Sequence, residues 1–134
     1  MNEDPRALIR GARTIAVLGA NPDLSRPAGY VPAYLHSQGI RVLPVNARFA
    51  GQPLFGQTIV ARLTDLQDPV DIVDVFRRPE DLPAHLDELL AMRPLPGALW
   101  LQSGIRHEGV AAAARAAGIA VVQDRCTLVE HQRG

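Results

Sequence analysis

Lysine is absent from the 134-residue chain, because all 14 of its basic residues are arginine. This absence excludes a Schiff-base lysine and the lysine of a P-loop. Cys126 is the single cysteine, so an internal disulfide is impossible, and its solitary thiol fits a reducing compartment. The basic residues are balanced by 14 acidic ones, which argues against a nonspecific binder of nucleic acid or of a membrane surface.

Long apolar runs are also missing. The opening segment, MNEDPRALIRGAR, lacks the apolar core of a signal peptide, and no stretch approaches the roughly 18 apolar residues of a membrane span. We therefore expect a cytoplasmic protein without membrane or nucleic-acid partners. The length predicts one domain over residues 1–134, with its core over residues 14–131.

Short runs rich in β-branched residues predict a parallel sheet. Several lack an alternating polar face, which is typical of strands that are covered on both sides. The predicted strands are Thr14–Leu18, Ile40–Val45, Val70–Phe76, Ala98–Leu101 and Ile119–Val122, with Thr58–Val60 as a possible sixth strand at an edge.

Helical periodicity lies between these runs. It is clearest in PEDLPAHLDELLAM, where leucines recur at helical spacing. A second helix includes Val31 and Leu35 and ends at Gly39, and a third runs from Glu108 to Ala117. Asp4 followed by Pro5 predicts the start of a short N-terminal helix. The alternation predicts a doubly wound α/β domain with a mainly parallel five- or six-stranded sheet and helices on both faces.

Ligands of such sheets bind beyond the carboxyl ends of the strands, where the strand order reverses. The loop after the first strand, GANPDLSRPAGY, starts with glycine and leads into a helix. Glycine there allows a close approach to phosphate, and a helix N-terminus offers free N–H groups. The same glycine is also common in loops that serve only as turns.

The usual dinucleotide fingerprint is missing from this loop. G-x-G-x-x-G is not present, and no acidic residue follows the second strand to hold a ribose hydroxyl. Ordinary NAD binding is therefore disfavoured, whereas Arg48 could meet a phosphorylated ribose. Together with Arg26, Arg77 and Arg78 it predicts an anion site at the rim, the alternative being solvated surface arginines.

A catalytic constellation is not evident. Asp71 and Asp74 are three residues apart on a predicted strand and point to opposite faces, so Asp74 is expected to be a buried hydrogen-bonding residue. Cys126 and His131 could form a nucleophile pair only within hydrogen-bond reach, which their spacing does not show. The four histidines have no metal-binding spacing, so neither a metal site nor a catalytic residue is predicted.

The segments around these loops resemble stand-alone CoA-binding proteins related to the Rossmann-like N-terminal domain of the succinyl-CoA synthetase α subunit. The resemblance rests on IAVLGANPDLSRPAGYVPAYLHSQGIRVLPVNARFAGQPLFG, DPVDIVDVFRRPEDLP, ALWLQSGI and GIAVVQDRCTLVEH, which cover nearly all of the chain from Thr14 onward. It implies a Rossmann-like fold that binds coenzyme A or an acyl-CoA.

The resemblance also implies four groups of binding residues. The pyrophosphate group consists of Gly19, Ala20, Asn21, Ser25, Arg26 and Pro27. The stretch against the adenosine 3′-phosphate consists of Pro44, Val45, Asn46 and Arg48. Val75, Phe76 and Arg77 form the wall beside adenine, and Gln102 and Gly104 lie nearer the pantetheine arm.

Three residues depart from the family pattern: Asn21 and Ala28 replace serines, and Ala47 replaces proline. The phosphorylated histidine of the synthetase belongs to another domain, so the resemblance implies cofactor binding without the ligase reaction. Alternatives that remain open are an NADP-dependent oxidoreductase subunit that uses Arg48, a redox or acyl-acceptor protein that uses Cys126, and a CoA-sensing interaction module with a protein partner.

Overall fold

The structure is a computed structural model that describes residues 1–133. Its helices are α1 (Pro5–Gly11), α2 (Pro27–Ser37), α3 (Leu82–Ala91), α4 (Glu108–Ala116) and α5 (Thr127–Arg133). Its strands are β1 (Thr14–Leu18), β2 (Arg41–Val45), β3 (Pro53–Leu54), β4 (Gln57–Thr58), β5 (Ile72–Val75), β6 (Ala98–Leu101) and β7 (Ala120–Val122).

The central sheet is parallel and has the order β2-β1-β5-β6-β7. On one face, α1 and α2 cover a core that includes Ile15, Val17 and Trp100, and α5 packs against both helices. On the other face, α3 and α4 cover a second core around Val73 and Leu99. The predicted α/β fold with helices on both faces is therefore confirmed, and burial on both faces explains the continuous apolar strands.

The order of the strands reverses at β1. The chain passes from β1 to β2 on one side and then returns to place β5 on the other side. Loops that leave β1 and β5 in opposite directions open a crevice at the carboxyl ends of these two strands. The topology of the sheet thus predicts a ligand site at this crevice.

The prediction of a sixth strand in the central sheet is wrong, because that sheet has five strands. Instead of a strand over Thr58–Val60, the chain forms the small β3-β4 hairpin, in which Phe55 and Gly56 both have positive φ. In this segment only Val60 pairs with the sheet, through a single parallel bridge to Val45, the last residue of the edge strand β2. Thr58 pairs with Pro53 inside this hairpin and is therefore not available to an additional strand of the central sheet.

The N-terminal and internal helices begin and end close to the predicted positions. Asp4 accepts a hydrogen bond from the Arg6 N–H at 3.3 Å and so caps α1. Gly39 and Gly118 follow α2 and α4 with positive φ, as expected of residues that end helices. Within residues 1–133 no helix has the length and apolar character needed to cross a membrane.

Candidate functional site

A cleft of about 1080 Å³ runs along the carboxyl edge of the sheet. It is lined by residues that follow β2, β1, β5, β6 and β7, so it extends across the whole sheet and includes the crevice beside β1. Neighbouring strands lie about 4.8 Å apart, which makes this edge roughly 19 Å long. The cleft therefore suits an elongated ligand.

Gly19 closes the end of β1 against β5. Its φ is +93°, a conformation that side chains rarely adopt, and a Cβ at this position would lie 2.5 Å from the carbonyl oxygen of Phe76. Its N–H donates to the carbonyl oxygen of Val45 at 2.8 Å. Only glycine allows the three strand ends to approach in this way.

The loop between β1 and α2 is folded tightly by its own side chains. Asn21 Oδ1 accepts from the N–H of Asp23 at 2.9 Å, and Asp23 Oδ1 accepts from the N–H and the hydroxyl of Ser25 at 3.0 and 2.6 Å. The Ser25 hydroxyl lowers the pKa of the Asp23 carboxyl. A Cβ at Gly29 would collide with the carbonyl oxygen of Asp23, so a second glycine permits this compact loop.

Helix α2 begins at Pro27 on the wall of the cleft. The residue before it, Arg26, makes no side-chain capping hydrogen bond to the helix. Pro27 and Ala28 both line the cleft. An uncapped helix start carries partial positive charge, and anions bind there readily.

Asn46 connects three loops beneath the cleft. Its side chain is buried, and its Nδ2 donates to the carbonyl oxygen of Ala20 at 2.9 Å. Its Oδ1 accepts from the N–H of Arg48 at 3.0 Å and, at 3.5 Å, from Arg77 Nη2. The loops that follow β1, β2 and β5 are thereby held in one arrangement, although Ala47 replaces the proline of the family pattern.

The four predicted arginines all line the cleft, but they are not equivalent. Arg26 pairs with Asp23 at 3.4 Å, and Arg78 pairs with Asp81 at 3.1 Å. The described residues place no carboxylate within 4 Å of the Arg48 or Arg77 guanidinium.

Arg48 instead lies over the Phe49 ring, 5.0 Å from its centroid. The Nε atom of Arg77 is buried without a hydrogen-bond partner among residues 1–133. Burying a guanidinium N–H without an acceptor is costly. The positive charge available to a ligand therefore lies at Arg48 and Arg77.

A buried polar cluster lies under the other end of the cleft. Gln102 Nε2 donates to Asp74 Oδ1 at 2.7 Å and to Thr127 Oγ1 at 2.8 Å, and the Thr127 hydroxyl donates to Asp74 Oδ2 at 3.0 Å. Burial raises the pKa of Asp74 to about 7, and hydrogen bonds from Gln102, Thr127 and the backbone of Val75 oppose that rise. The prediction that Asp74 is a buried hydrogen-bonding residue is confirmed.

The candidate catalytic pairs of the sequence analysis are engaged elsewhere. His131 Nδ1 lies 2.8 Å from the Tyr34 hydroxyl, and the two rings meet edge to face at 5.4 Å. Cys126 is partly exposed and lines the cleft. Asp71 lies before β5, at the opposite edge of the sheet from the cleft, and accepts from the Arg13 N–H at 2.8 Å.

Ten of the fifteen residues predicted to bind a ligand line the cleft: Gly19, Asn21, Arg26, Pro27, Asn46, Arg48, Phe76, Arg77, Gln102 and Gly104. The other five do not line it. Ala20, Pro44, Val45 and Val75 are buried, whereas Ser25 is exposed and uses its hydroxyl within the loop. Buried residues at strand ends support the cleft from below, which their sequence position alone does not reveal.

Sequence reasoning missed most of the apolar wall, which consists of Tyr30, Phe49, Ile105, Leu128 and Val129. Leu128 and Val129 belong to α5, a helix that was not predicted. Tyr30 lies one turn into α2, where an exposed side chain can reach over the loop. The sequence did predict the last strand, which corresponds to β7. Because the segment after a parallel strand also starts at the carboxyl edge, Leu128 and Val129 could have been expected near the cleft.

Comparison with known proteins assigns the chain to a family. The model of the CoA binding domain matches residues 13–132. An uncharacterised protein of Bacillus subtilis, YneT, is 29% identical over 127 residues, which cover 94% of this chain and 90% of that protein.

Two solved structures are closely similar. A Thermus thermophilus protein, cell-free ID.343, is 60% identical, with a TM-score of 0.92 and coverage of 99% of this chain and 98% of that one. A hypothetical protein from Pyrococcus horikoshii OT3 is 28% identical, with a TM-score of 0.88 and coverage of 99% and 91%. The resemblance drawn from the sequence is confirmed, and the chain belongs to the CoA binding domain family.

Proposed function

We propose that this protein binds coenzyme A or an acyl-CoA in the cleft and performs no reaction of its own on it. Its family supports CoA as the kind of ligand. In this proposal the pyrophosphate lies against the loop from Gly19 to Gly29 and the start of α2. The adenosine 3′-phosphate lies near Arg48, and the pantetheine arm extends toward Gln102.

The observation that carries this proposal is the state of the Arg77 guanidinium. Its buried Nε lacks an acceptor, the residue lines the cleft, and its Nη2 lies 3.5 Å from Oδ1 of Asn46, which joins the loops that follow β1 and β2. A phosphate oxygen is a strong acceptor for guanidinium N–H groups. Bound pyrophosphate would offer acceptors to this guanidinium and neutralise a charge that has no carboxylate partner.

The shape of the glycine loop fits the same ligand. Gly19 and Gly29 stand where a Cβ would meet backbone carbonyl oxygens, so the loop is compact, and Gly19 and Asn21 line the cleft. The uncapped start of α2 adds partial positive charge. Arg26, Arg48 and Arg77 line the same cleft as this helix start, and several cationic groups suit the recognition of several phosphates.

The opposite end of the cleft fits the thiol or acyl end of the ligand. Ile105, Leu128 and Val129 form an apolar wall there, and Cys126 lies beside them. This wall contains no paired acid and base, because the His131 ring is bonded to Tyr34. We therefore propose that this end accommodates an acyl group without cleaving its thioester.

Thermal unfolding with separate ligands tests the proposal. CoA, acetyl-CoA and a long-chain acyl-CoA are each added, with NADP and NAD as matched dinucleotide controls. A ligand at 100 times its Kd stabilises the native state by about 2.7 kcal/mol, which raises Tm by several degrees in a domain of this size. A shift with NADP and none with the CoA compounds would favour the oxidoreductase alternative.

A second measurement tests the absence of chemistry. Acetyl-CoA is incubated with the protein, and free thiol and acetylated protein are followed over time. We expect thioester loss at the rate of the protein-free control and no acetyl group on Cys126. Acetylation of Cys126, or faster hydrolysis, would contradict the non-catalytic part of the proposal and leave the binding part intact.

A further inference from the structure

Gln102 offers a ligand only one kind of polar group. Both of its amide protons are committed, one to Asp74 Oδ1 at 2.7 Å and the other to Thr127 Oγ1 at 2.8 Å. A glutamine side chain has two N–H donors and one carbonyl acceptor. The carbonyl Oε1 is therefore the group that Gln102 can present to the cleft that it lines.

Thr127 and Asp74 fix this orientation. The Thr127 hydroxyl donates to Asp74 Oδ2 at 3.0 Å, so its oxygen serves as the acceptor for the second Gln102 proton. With Asp74 ionised, rotating the amide by 180° would place Oε1 against the two oxygen atoms that now accept its protons. All three side chains are buried, with relative exposures of 0, 4 and 0% for Asp74, Gln102 and Thr127. Water therefore cannot compensate for the rotated arrangement.

We propose that Gln102 Oε1 accepts a hydrogen bond from an amide N–H of the pantetheine arm, and that Asp74 and Thr127 are the positioning residues that keep this acceptor directed at the ligand. The inference rests on the proposed function. Gln102 follows β6, whereas Arg48 follows β2 and Arg77 follows β5, so Gln102 lies beyond both arginines along the carboxyl edge of the sheet. If the phosphates lie near Arg48 and Arg77, the group that reaches Gln102 belongs to the arm.

The arm contains two secondary amides, and each has an N–H donor. A carboxylate or carbonyl group of another ligand would meet Oε1 with repulsion. The buried cluster thus selects for a donor at this point of the cleft. This adds specificity that the arginines, which read only negative charge, do not supply.

The test compares ligands with and without the arm. Affinities of CoA, dephospho-CoA and adenosine 3′,5′-bisphosphate are measured by calorimetry for the unaltered chain and for Gln102→Met, which keeps the length of the side chain but lacks its acceptor. We expect about a tenfold loss for both ligands that carry the arm. Adenosine 3′,5′-bisphosphate should change less than about twofold, because it lacks the arm that contacts Gln102 in this proposal.

Equal losses for all three ligands would overturn the inference and indicate a general loosening of the cleft. An unaltered chain that binds none of the CoA compounds would overturn the proposed function together with this inference. Normal CoA binding by Gln102→Met would overturn this inference alone.

Two further measurements do not depend on the folding of Gln102→Met. In the first, the unaltered chain is titrated with two CoA analogues, in each of which one arm amide N–H is replaced by an ester oxygen. One analogue should bind at least tenfold more weakly than CoA, since an oxygen then faces Oε1. Equal affinity of both analogues with CoA would contradict the inference.

In the second, Thr127→Val releases one Gln102 proton, whereas Thr127→Ser retains the acceptor. We expect Thr127→Val to weaken CoA but not adenosine 3′,5′-bisphosphate, and Thr127→Ser to restore the CoA affinity. A purely structural role of the hydroxyl would reduce the affinity for both ligands. That result would refute the positioning role of Thr127.

Discussion

Asn46 Nδ2 donates a hydrogen bond to the carbonyl oxygen of Ala20 at 2.9 Å, and this bond joins the loops that follow two neighbouring strands, β2 and β1. Neither residue is exposed. On the other side of the amide, Oδ1 accepts from the Arg48 N–H at 3.0 Å. Asn46 thus uses donor and acceptor at once, which aspartate cannot do when ionised.

We therefore predict that Asn46→Asp damages both stability and binding. The carboxylate would face the Ala20 carbonyl oxygen, and leaving that oxygen unsatisfied costs about 1–3 kcal/mol of unfolding free energy. It would also place negative charge beside the proposed phosphate site. Urea unfolding and CoA calorimetry check both effects. Asn2→Asp adds the same charge at an exposed position and keeps the acceptor for the Asp4 N–H, so it should leave both quantities unchanged.

The arginines should differ in their contribution to CoA affinity. Arg48→Ala and Arg77→Ala each remove a guanidinium without a carboxylate partner among the described residues, and the loss of a charge-assisted hydrogen bond should cost about 1.5–3 kcal/mol, roughly 10- to 150-fold in Kd. Arg26→Ala should cost less, because its side chain is 68% exposed and already paired with Asp23. Calorimetric titration with CoA in low salt gives the three values.

Arg13→Ala is the matched control for these variants. Arg13 precedes β1, at the opposite edge of the sheet from the cleft, and its substitution removes the same charge. Its backbone bonds to Asp71 and Arg41 do not depend on the side chain. If Arg13→Ala weakened CoA binding as much as Arg77→Ala, the assigned phosphate contacts would be wrong and only net charge would matter.

The glycine loop gives a third prediction. Gly19→Ala should lower the unfolding free energy by about 1–3 kcal/mol, because a Cβ would press on the Phe76 carbonyl oxygen, which belongs to rigid backbone, and because φ is positive. CoA binding should fall with it, since the ends of β1 and β5 must separate. Gly11→Ala, where a Cβ meets nothing within 4 Å, should be neutral or slightly stabilising. Similar unfolding curves for the two variants would refute this account.

The pattern of buried strands was sufficient to predict the sheet. Short apolar runs such as those of β1 and β5 are typical of strands that are buried on both faces. Gly39 and Gly118 have positive φ and end helices, as glycine at these positions predicts. The wrong predictions concern two short segments, the additional strand at residues 58–60 and the helix α5. Residues 58–60 are β-branched, yet Thr58 pairs in the hairpin and only Val60 of the three bridges to the central sheet. Helix α5 is too short for a periodic pattern to show.

The site was predictable only in part, for a physical reason. Position after a strand indicates that Gly19, Asn46 and Gln102 reach the carboxyl edge, but it does not tell which side chains point outward. Val45 and Val75 point into the cores, whereas the exposed Val129 comes from an unpredicted helix. Which arginines have carboxylate partners also depends on neighbours in space, and no spacing in the sequence reveals it.

Asp74 predicts how stability depends on pH. Its pKa is raised by burial to about 7 from 3.8, so the folded state binds this proton more tightly than the unfolded state does. The stabilisation from this group is therefore complete below about pH 4 and is lost as the pH rises to about 7, a change on the order of 4 kcal/mol. We expect this slope in urea unfolding of the unaltered chain but not of Asp74→Asn, which cannot titrate. Glu3, whose pKa is lowered by its hydrogen bond with Arg115, acts in the opposite direction in both proteins and cancels in their difference. Parallel stability curves between pH 4 and 7 would show that Asp74 is ionised throughout this range.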